Sequence, residues 1–168
     1  MPLFGLHLAP RQVALLLALA CAGALGVGLT AQFGFGLQPC ILCLTQRVPY
    51  VVAGLLALTA LVTRHAGVRL WLLWGCALAF AINAGIAVYH VGVEQHWWVS
   101  TCSAAAGAAL ADSPEALMAA LTKPAPLPPC DQAPWRLFGI SFAGYNIAAS
   151  LGLAGLTAWA LRRSRSES

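Results

Sequence analysis

Cys40-Ile41-Leu42-Cys43 is the part of this sequence best suited to chemistry. A Cys-x-x-Cys pair closes a small disulfide and opens it again, so it is first a redox device. It stands at the head of a long apolar stretch and is followed at once by Gln46-Arg47. That placement suggests thiol chemistry coupled to something carried in a bilayer. Cys102 and Cys130 lie outside the apolar stretches as well, whereas Cys21 and Cys76 fall inside them and read as small core residues. Two passive disulfides are the competing reading of the outer four cysteines. Zinc favours a second close pair, which the widely separated Cys102 and Cys130 do not supply, so no metal is expected. The usual haem attachment motif requires a histidine after the second cysteine, and Leu44 stands there.

The predicted start of a helix at Cys40 and Cys43 favours the redox reading. Unpaired N–H groups and the helix dipole stabilise a thiolate at that end. Arg47 follows Cys43 by four residues, one turn deeper on the same face. An arginine inside an apolar span marks a functional position, although it also reads as a side chain snorkelling to the headgroups. Pro49 lies just inside the same helix and fits either the first turns or a bend.

These residues need elements to hold them. The chain has 168 residues, 60% hydrophobic and 8% charged, against about 25% charged in soluble domains. Composition thus points to an all-α integral membrane protein. The basic residues form no stripe with interleaved aromatics, and no nucleic-acid partner is expected from the net charge of +4. Four stretches reach the roughly 20 apolar residues of a transmembrane helix, at about 12–33, 42–62, 70–92 and 137–161. Together they predict a four-helix transmembrane bundle forming a single domain over residues 1–168, with outer loops at about 34–41 and 93–136. Arg11, Arg64, Arg69, Arg162, Arg163 and Arg165 flank one side, and Arg47, Lys123 and Arg136 the other. The bias places both termini in the cytoplasm and the cysteine loops outside, in the periplasm of a Gram-negative cell. A cleaved signal peptide over the first span is a weaker reading, because its basic n-region is slight and its apolar run long.

The second outer loop has room for soluble structure. Trp97 and Trp98 sit where an aromatic belt would lie. Asp112-Ser113-Pro114-Glu115 reads as a helix start, with Leu117, Met118 and Leu121 on one face. A short helix on the membrane surface and a turn packed on the bundle both satisfy this pattern. From Pro124 to Pro134 prolines exclude helix.

With these features in view, the chain resembles the family of disulfide bond formation protein B (DsbB), bacterial inner-membrane thiol:quinone oxidoreductases. The resemblance rests on four spans, Pro39-Cys40-Ile41-Leu42-Cys43, Gln46-Arg47 and the Cys102/Cys130 pair. It extends to Tyr89-His90, Gly92-Val93-Glu94, Trp135, Gly139-Ile140-Ser141 and Tyr145-Asn146. It implies a relay in which a reduced periplasmic DsbA-like thioredoxin-fold oxidase attacks a Cys102–Cys130 disulfide at Cys102. Cys130 then attacks Cys40, and Cys43 is freed beside a quinone, ubiquinone or menaquinone, drawn from the membrane pool. Arg47 would stabilise the charge there, and His90 matches a family histidine that approaches the quinone. From the residues alone, His90 also reads as an interfacial histidine, Glu94 as a solvated interfacial acid and Asn146 as a polar contact between helices. Two alternatives remain at this level: a narrower relative serving one dedicated partner, and a non-enzymatic membrane assembly or transport protein with structural disulfides.

Overall fold

Pro10 opens the first helix at the position where a missing N–H is not needed. The Ala9 N–H donates to Gln12 Oε1 at 2.9 Å. The computed structural model describes residues 9–98 and 127–166. Helix α1 (Pro10–Leu29) continues into a single π-helical turn over Thr30–Gly34. A short helix α2 (Ile41–Thr45) leads through Gln46 into α3 (Arg47–Val62), and α4 spans Ala66–Glu94. A two-stranded hairpin, β1 (Arg136–Leu137) and β2 (Ile140–Ser141), precedes α5 (Phe142–Ser166).

Three helical segments, Pro10–Gly34, Ile41–Val62 and Ala66–Glu94, are long and apolar enough to cross a membrane. These coincide with the first three expected spans. The helix in the fourth expected stretch, α5, starts at Phe142, later than hydropathy suggested. Residues 137–141 belong to the hairpin, two residues per strand in an otherwise helical set of elements. Its antiparallel register pairs Arg136 with Ser141 and Leu137 with Ile140. Phe138 and Gly139 both take positive φ at the tip, as a two-residue hairpin loop requires. Ser141 then caps α5, its Oγ accepting from the Gly144 N–H at 3.2 Å. The expected helix near Ser113 and the Cys102 segment lie outside the described residues, while Leu127–Trp135 is non-helical as its prolines require.

Pro49 accounts for the break between α2 and α3. A proline lacks the N–H that would reach the carbonyl four residues back, and its ring crowds that carbonyl. Here the carbonyl is that of Thr45, the last residue of α2, and the helix breaks at Gln46. The Cys-x-x-Cys turn is therefore a separate piece set on top of a continuous helix.

The core lies among α1, α3, α4 and the far end of α5. Tyr50, Ala53, Ala57 and Ala60 recur at helical spacing on the inner face of α3, against Leu73, Cys76 and Phe80 of α4 and Leu17 and Cys21 of α1. Small side chains let apolar helices approach closely, where dispersion replaces the hydrophobic effect as the force between them. Cys21 and Cys76 are core residues, as expected, and both are buried. At the opposite end from Cys40, Arg69 donates to the carbonyls of Ala60 and Thr63, and Arg11 to that of Leu61. These bonds satisfy carbonyls that the end of α3 leaves without helical partners.

Helix α4 ends in a Schellman turn. Trp97 N–H bonds to Gly92 O at 2.9 Å and His96 N–H to Val93 O at 3.1 Å, with His96 in the left-handed region. The chain then folds back so that Trp98 stacks on Tyr89 at 5.7 Å and donates from Nε1 to the Tyr89 carbonyl at 3.1 Å. The indole lies directly over Gly92, and a Cβ there would enter its ring. Gly92→Ala is expected to cost about 1–3 kcal/mol. A lowered thermal midpoint in detergent together with altered tryptophan emission would record it; an unchanged midpoint would mean that the indole moves aside freely.

Candidate active site

Cys40 is the N-cap of α2. Its sulfur accepts from the Cys43 N–H at 3.4 Å, and its thiol lies 3.1 Å from Cys43 Sγ. One sulfur thus faces the other across a single helical turn. The Cys40 thiol is pushed up to about 12, first because it donates to Cys43 Sγ and then by burial. The two sulfurs and a ring nitrogen of His90 lie within 4.8 Å of one another. Tetrahedral zinc with Zn–S of about 2.3 Å holds its sulfurs about 3.8 Å apart, so the 3.1 Å approach has the spacing of a thiol hydrogen bond.

The two cysteines have different surroundings. Cys40 packs with Val93 and Cys130 in a small buried cluster, which Cys43 borders from one side. Asp131, next to Cys130, lies 4.0 Å from His96 at the turn ending α4, a contact between this loop and the helix end. Cys43, by contrast, lines a cavity of about 270 Å³, and Cys40 does not. Its walls are mostly apolar, from Ala24 and Leu25 on α1 to Phe142 and Ala149 on α5, with Arg47, His90 and Glu94 among the polar groups.

Arg47 reaches across to α1. Its guanidinium donates to Gln32 Oε1 at 2.7 Å and to the Gly28 carbonyl at 3.3 Å. Gln32 belongs to the π-helical turn, a local widening that recurs at functional sites. Among the described residues no carboxylate lies within ion-pair distance of Arg47. Among the described residues its charge therefore stands at the wall of the cavity without an ion-paired carboxylate.

His90 is buried, not interfacial, with 3% of its surface exposed. Its Nε2 lies 3.5 Å from Cys40 Sγ and its Nδ1 3.0 Å from Gln46 Nε2. Glu94, one turn further along α4, is 6% exposed, which corrects its reading as a solvated acid. Its Oε1 is 3.7 Å from His90 Nε2, and its Oε2 has no hydrogen-bond partner.

From Gln46 a polar chain runs into the bundle. Asn146 Nδ2 donates to Gln46 Oε1 at 2.8 Å, and Asn146 Oδ1 accepts from Tyr50 Oη at 2.6 Å. Asn83 adds bonds to Ser150 Oγ at 2.9 Å and Asn146 Oδ1 at 3.3 Å. Asn146 is indeed a polar contact between helices, but sequence reasoning missed the network it anchors. The signal was present as polar residues at i and i+4, Gln46/Tyr50 and Asn146/Ser150, along otherwise apolar faces.

The family model described as "Disulfide bond formation protein DsbB" matches residues 10–160. The chain belongs to the DsbB family. "Disulfide bond formation protein B 2" of Pseudomonas syringae pv. syringae is 32% identical over 162 residues, covering 90% of this chain and 87% of that one. "Disulfide bond formation protein B" of Verminephrobacter eiseniae is 31% identical over 151 residues, covering 86% and 82%. That of Chromobacterium violaceum is 40% identical over 93 residues, covering 55% of this chain and 54% of its own length. No solved structure matches. As a DsbB family member with three apolar helices, this is a membrane protein of disulfide bond formation. Of the residues singled out in its sequence, Cys40, Cys43, Cys130, Arg47 and His90 converge on one end of the bundle, and Cys102 lies outside the described residues.

Proposed function

We propose that this DsbB family protein reoxidises a periplasmic DsbA-like oxidase and passes the two electrons to a membrane quinone. The observation that carries this reading is the sidedness of the Cys-x-x-Cys turn. Cys40 shares a small buried cluster with Cys130, whereas Cys43 borders that cluster and also opens on the cavity. A thiol relay needs one sulfur to face the incoming electron pair and the other to face the acceptor.

In this reading Cys102 and Cys130 form the outer disulfide, and the reduced partner attacks Cys102. The Cys130 thiolate, released by that attack, displaces Cys43 from a Cys40–Cys43 disulfide by bonding to Cys40 Sγ. Cys43 leaves as a thiolate on the cavity side, and its charge is balanced by Arg47. The apolar walls fit the ring of a quinone, with Cys43, Arg47 and His90 on the polar side. When bound, the quinone supplies a sink for two electrons and two protons. The protein holds the ring, excludes water and presents the thiolate.

The same reading makes α5 the fourth span. Its interior polar residues, Asn146, Ser150 and Thr157, are turned inward and hydrogen-bonded, and it packs along α4 more extensively than any other pair of elements. Both termini are then cytoplasmic and the cysteine end faces the periplasm, in the bacterial inner membrane.

The test mixes purified protein with a reduced DsbA-like oxidase and a short-chain quinone and follows quinone absorbance. Catalytic quinone loss matched by disulfide formation in the partner is expected. Inert cysteines and no quinone-dependent turnover would leave the family's chemistry unassigned in this chain.

A further inference from the structure

Glu94 is the acid in this site that the relay leaves without a task. A carboxyl group buried in a wall of apolar side chains needs a reason, because desolvation disfavours it and one oxygen has no partner. Among the described residues, its one near neighbour of opposite potential charge is His90 Nε2, at 3.7 Å. The same nitrogen lies 3.5 Å from Cys40 Sγ. A thiol, an imidazole nitrogen and a carboxylate thus meet around one atom.

Cys40 has a proton to lose whenever its sulfur must act as a nucleophile, and its thiol is held far from ionising. Its hydrogen bond points to Cys43 Sγ. In the reduced site, with Cys130 not bonded to Cys40, turning Cys43 to the cavity withdraws that acceptor and leaves His90 as the base in reach. We propose that His90 Nε2 takes the Cys40 proton and that Glu94 stabilises the imidazolium so formed, making Glu94 a positioning residue for the thiol chemistry. The inference rests on the reading of Cys40 as a redox thiol. In this step the Cys40 S–H bond breaks and an Nε2–H bond forms. The sulfur keeps the electron pair, and the new positive charge sits beside the Glu94 carboxylate.

Gln46 makes this transfer structurally tolerable. Its amide faces His90 Nδ1 at 3.0 Å. With its nitrogen forward it donates to a bare Nδ1; turned over, its oxygen accepts from Nδ1–H and leaves the Nε2 lone pair facing Cys40. The second arrangement requires Asn146 to turn over too, taking its oxygen away from Tyr50 and Asn83, and Asn83 with it, whose Oδ1 has no partner in the first. The other titratable or charged groups around Cys40 are Cys43 on its own helix and Cys130 on the outer loop, while Arg47 of α3 is directed to Gln32 and Gly28.

The experiment needs no quinone. Full-length Cys43→Ala protein in detergent, stripped of quinone and reduced with a phosphine, is alkylated with iodoacetamide across a range of pH, and the Cys40 peptide is quantified by mass spectrometry. With the Cys43 acceptor removed, Cys40 alkylation in this parent is expected to reach a plateau near neutral pH, the signature of a thiolate–imidazolium pair. His90→Gln should abolish the plateau, leaving a rate that climbs with hydroxide. Glu94→Gln should lower the plateau about tenfold, one pKa unit in the ion pair's favour, and Glu94→Asp should restore part of it. Protection of Cys21 and Cys76 in every variant serves as the check that the bundle is intact. A Glu94→Gln profile superimposable on that of the Cys43→Ala parent, or a parent rate that climbs without a plateau, would overturn the proposal. Failure of quinone turnover alone would leave these profiles untouched, so the two readings fail separately.

Discussion

Replacing Cys43 by serine is expected to abolish quinone reduction while leaving the outer disulfide open to attack by the reduced partner. Cys43 is the sulfur on the cavity wall, 3.1 Å from Cys40 Sγ but with different neighbours. A serine hydroxyl is not ionised at neutral pH and forms no disulfide, so nothing on the cavity side can pass the electron pair on. Cys130, freed when the partner bonds to Cys102, then finds only a thiol at Cys40 and no disulfide to attack, so the outer pair should be left reduced after a single encounter with the partner. Quinone absorbance reads the first effect, and thiol alkylation with mass spectrometry of the Cys102 and Cys130 peptides reads the second. Turnover by Cys43→Ser comparable to wild type would remove the relay from consideration.

The second large effect is expected at Arg47. Arg47→Ala removes the positive charge facing the cavity and should slow quinone reduction on the order of 100-fold, as removal of a preorganised donor typically does. The attack of the partner on the outer loop should be much less affected. Arg47→Lys should not restore the full rate. The guanidinium spans Gln32 Oε1 and the Gly28 carbonyl at once, a two-point hold that a single ammonium does not reproduce. Stopped-flow measurement of partner oxidation and quinone reduction in one sample separates the steps, and equal slowing of both would make Arg47 a purely structural residue.

Long apolar runs made the first three helices legible, because twenty such residues have few alternatives to a membrane helix. The start of α5 was not legible by that route. Leu137, Phe138 and Ile140 add hydropathy to the run, but Gly139 and the Ser141 cap decide the local structure. The Pro49 break was left open because a proline in the third helical position is tolerated if the helix starts anew there, and only the structure places the restart at Arg47. At the site, Cys40, Cys43 and Arg47 could be singled out by type and spacing. Glu94 could not: an acid next to Gln95 and His96 reads as surface, and the cavity wall it joins is completed by Gln46, Arg47, Phe142 and Asn146, all distant in sequence. Gln46 likewise owes its task to partners on two other helices, which no local pattern displays.

The buried cluster around Cys40 also bears on what an oxidising machine must avoid. Cys40 is 5% exposed and Cys130 1%. Thiol–disulfide exchange needs an in-line approach to sulfur, so access governs its rate as much as driving force does. A small thiol diffusing past this surface reaches either sulfur only slowly. On the proposed relay, stray reductants would then leak few electrons to the quinone, and the donor would gain entry through the outer disulfide instead. Insulation of this kind would let an oxidising centre work among other thiols without a short circuit.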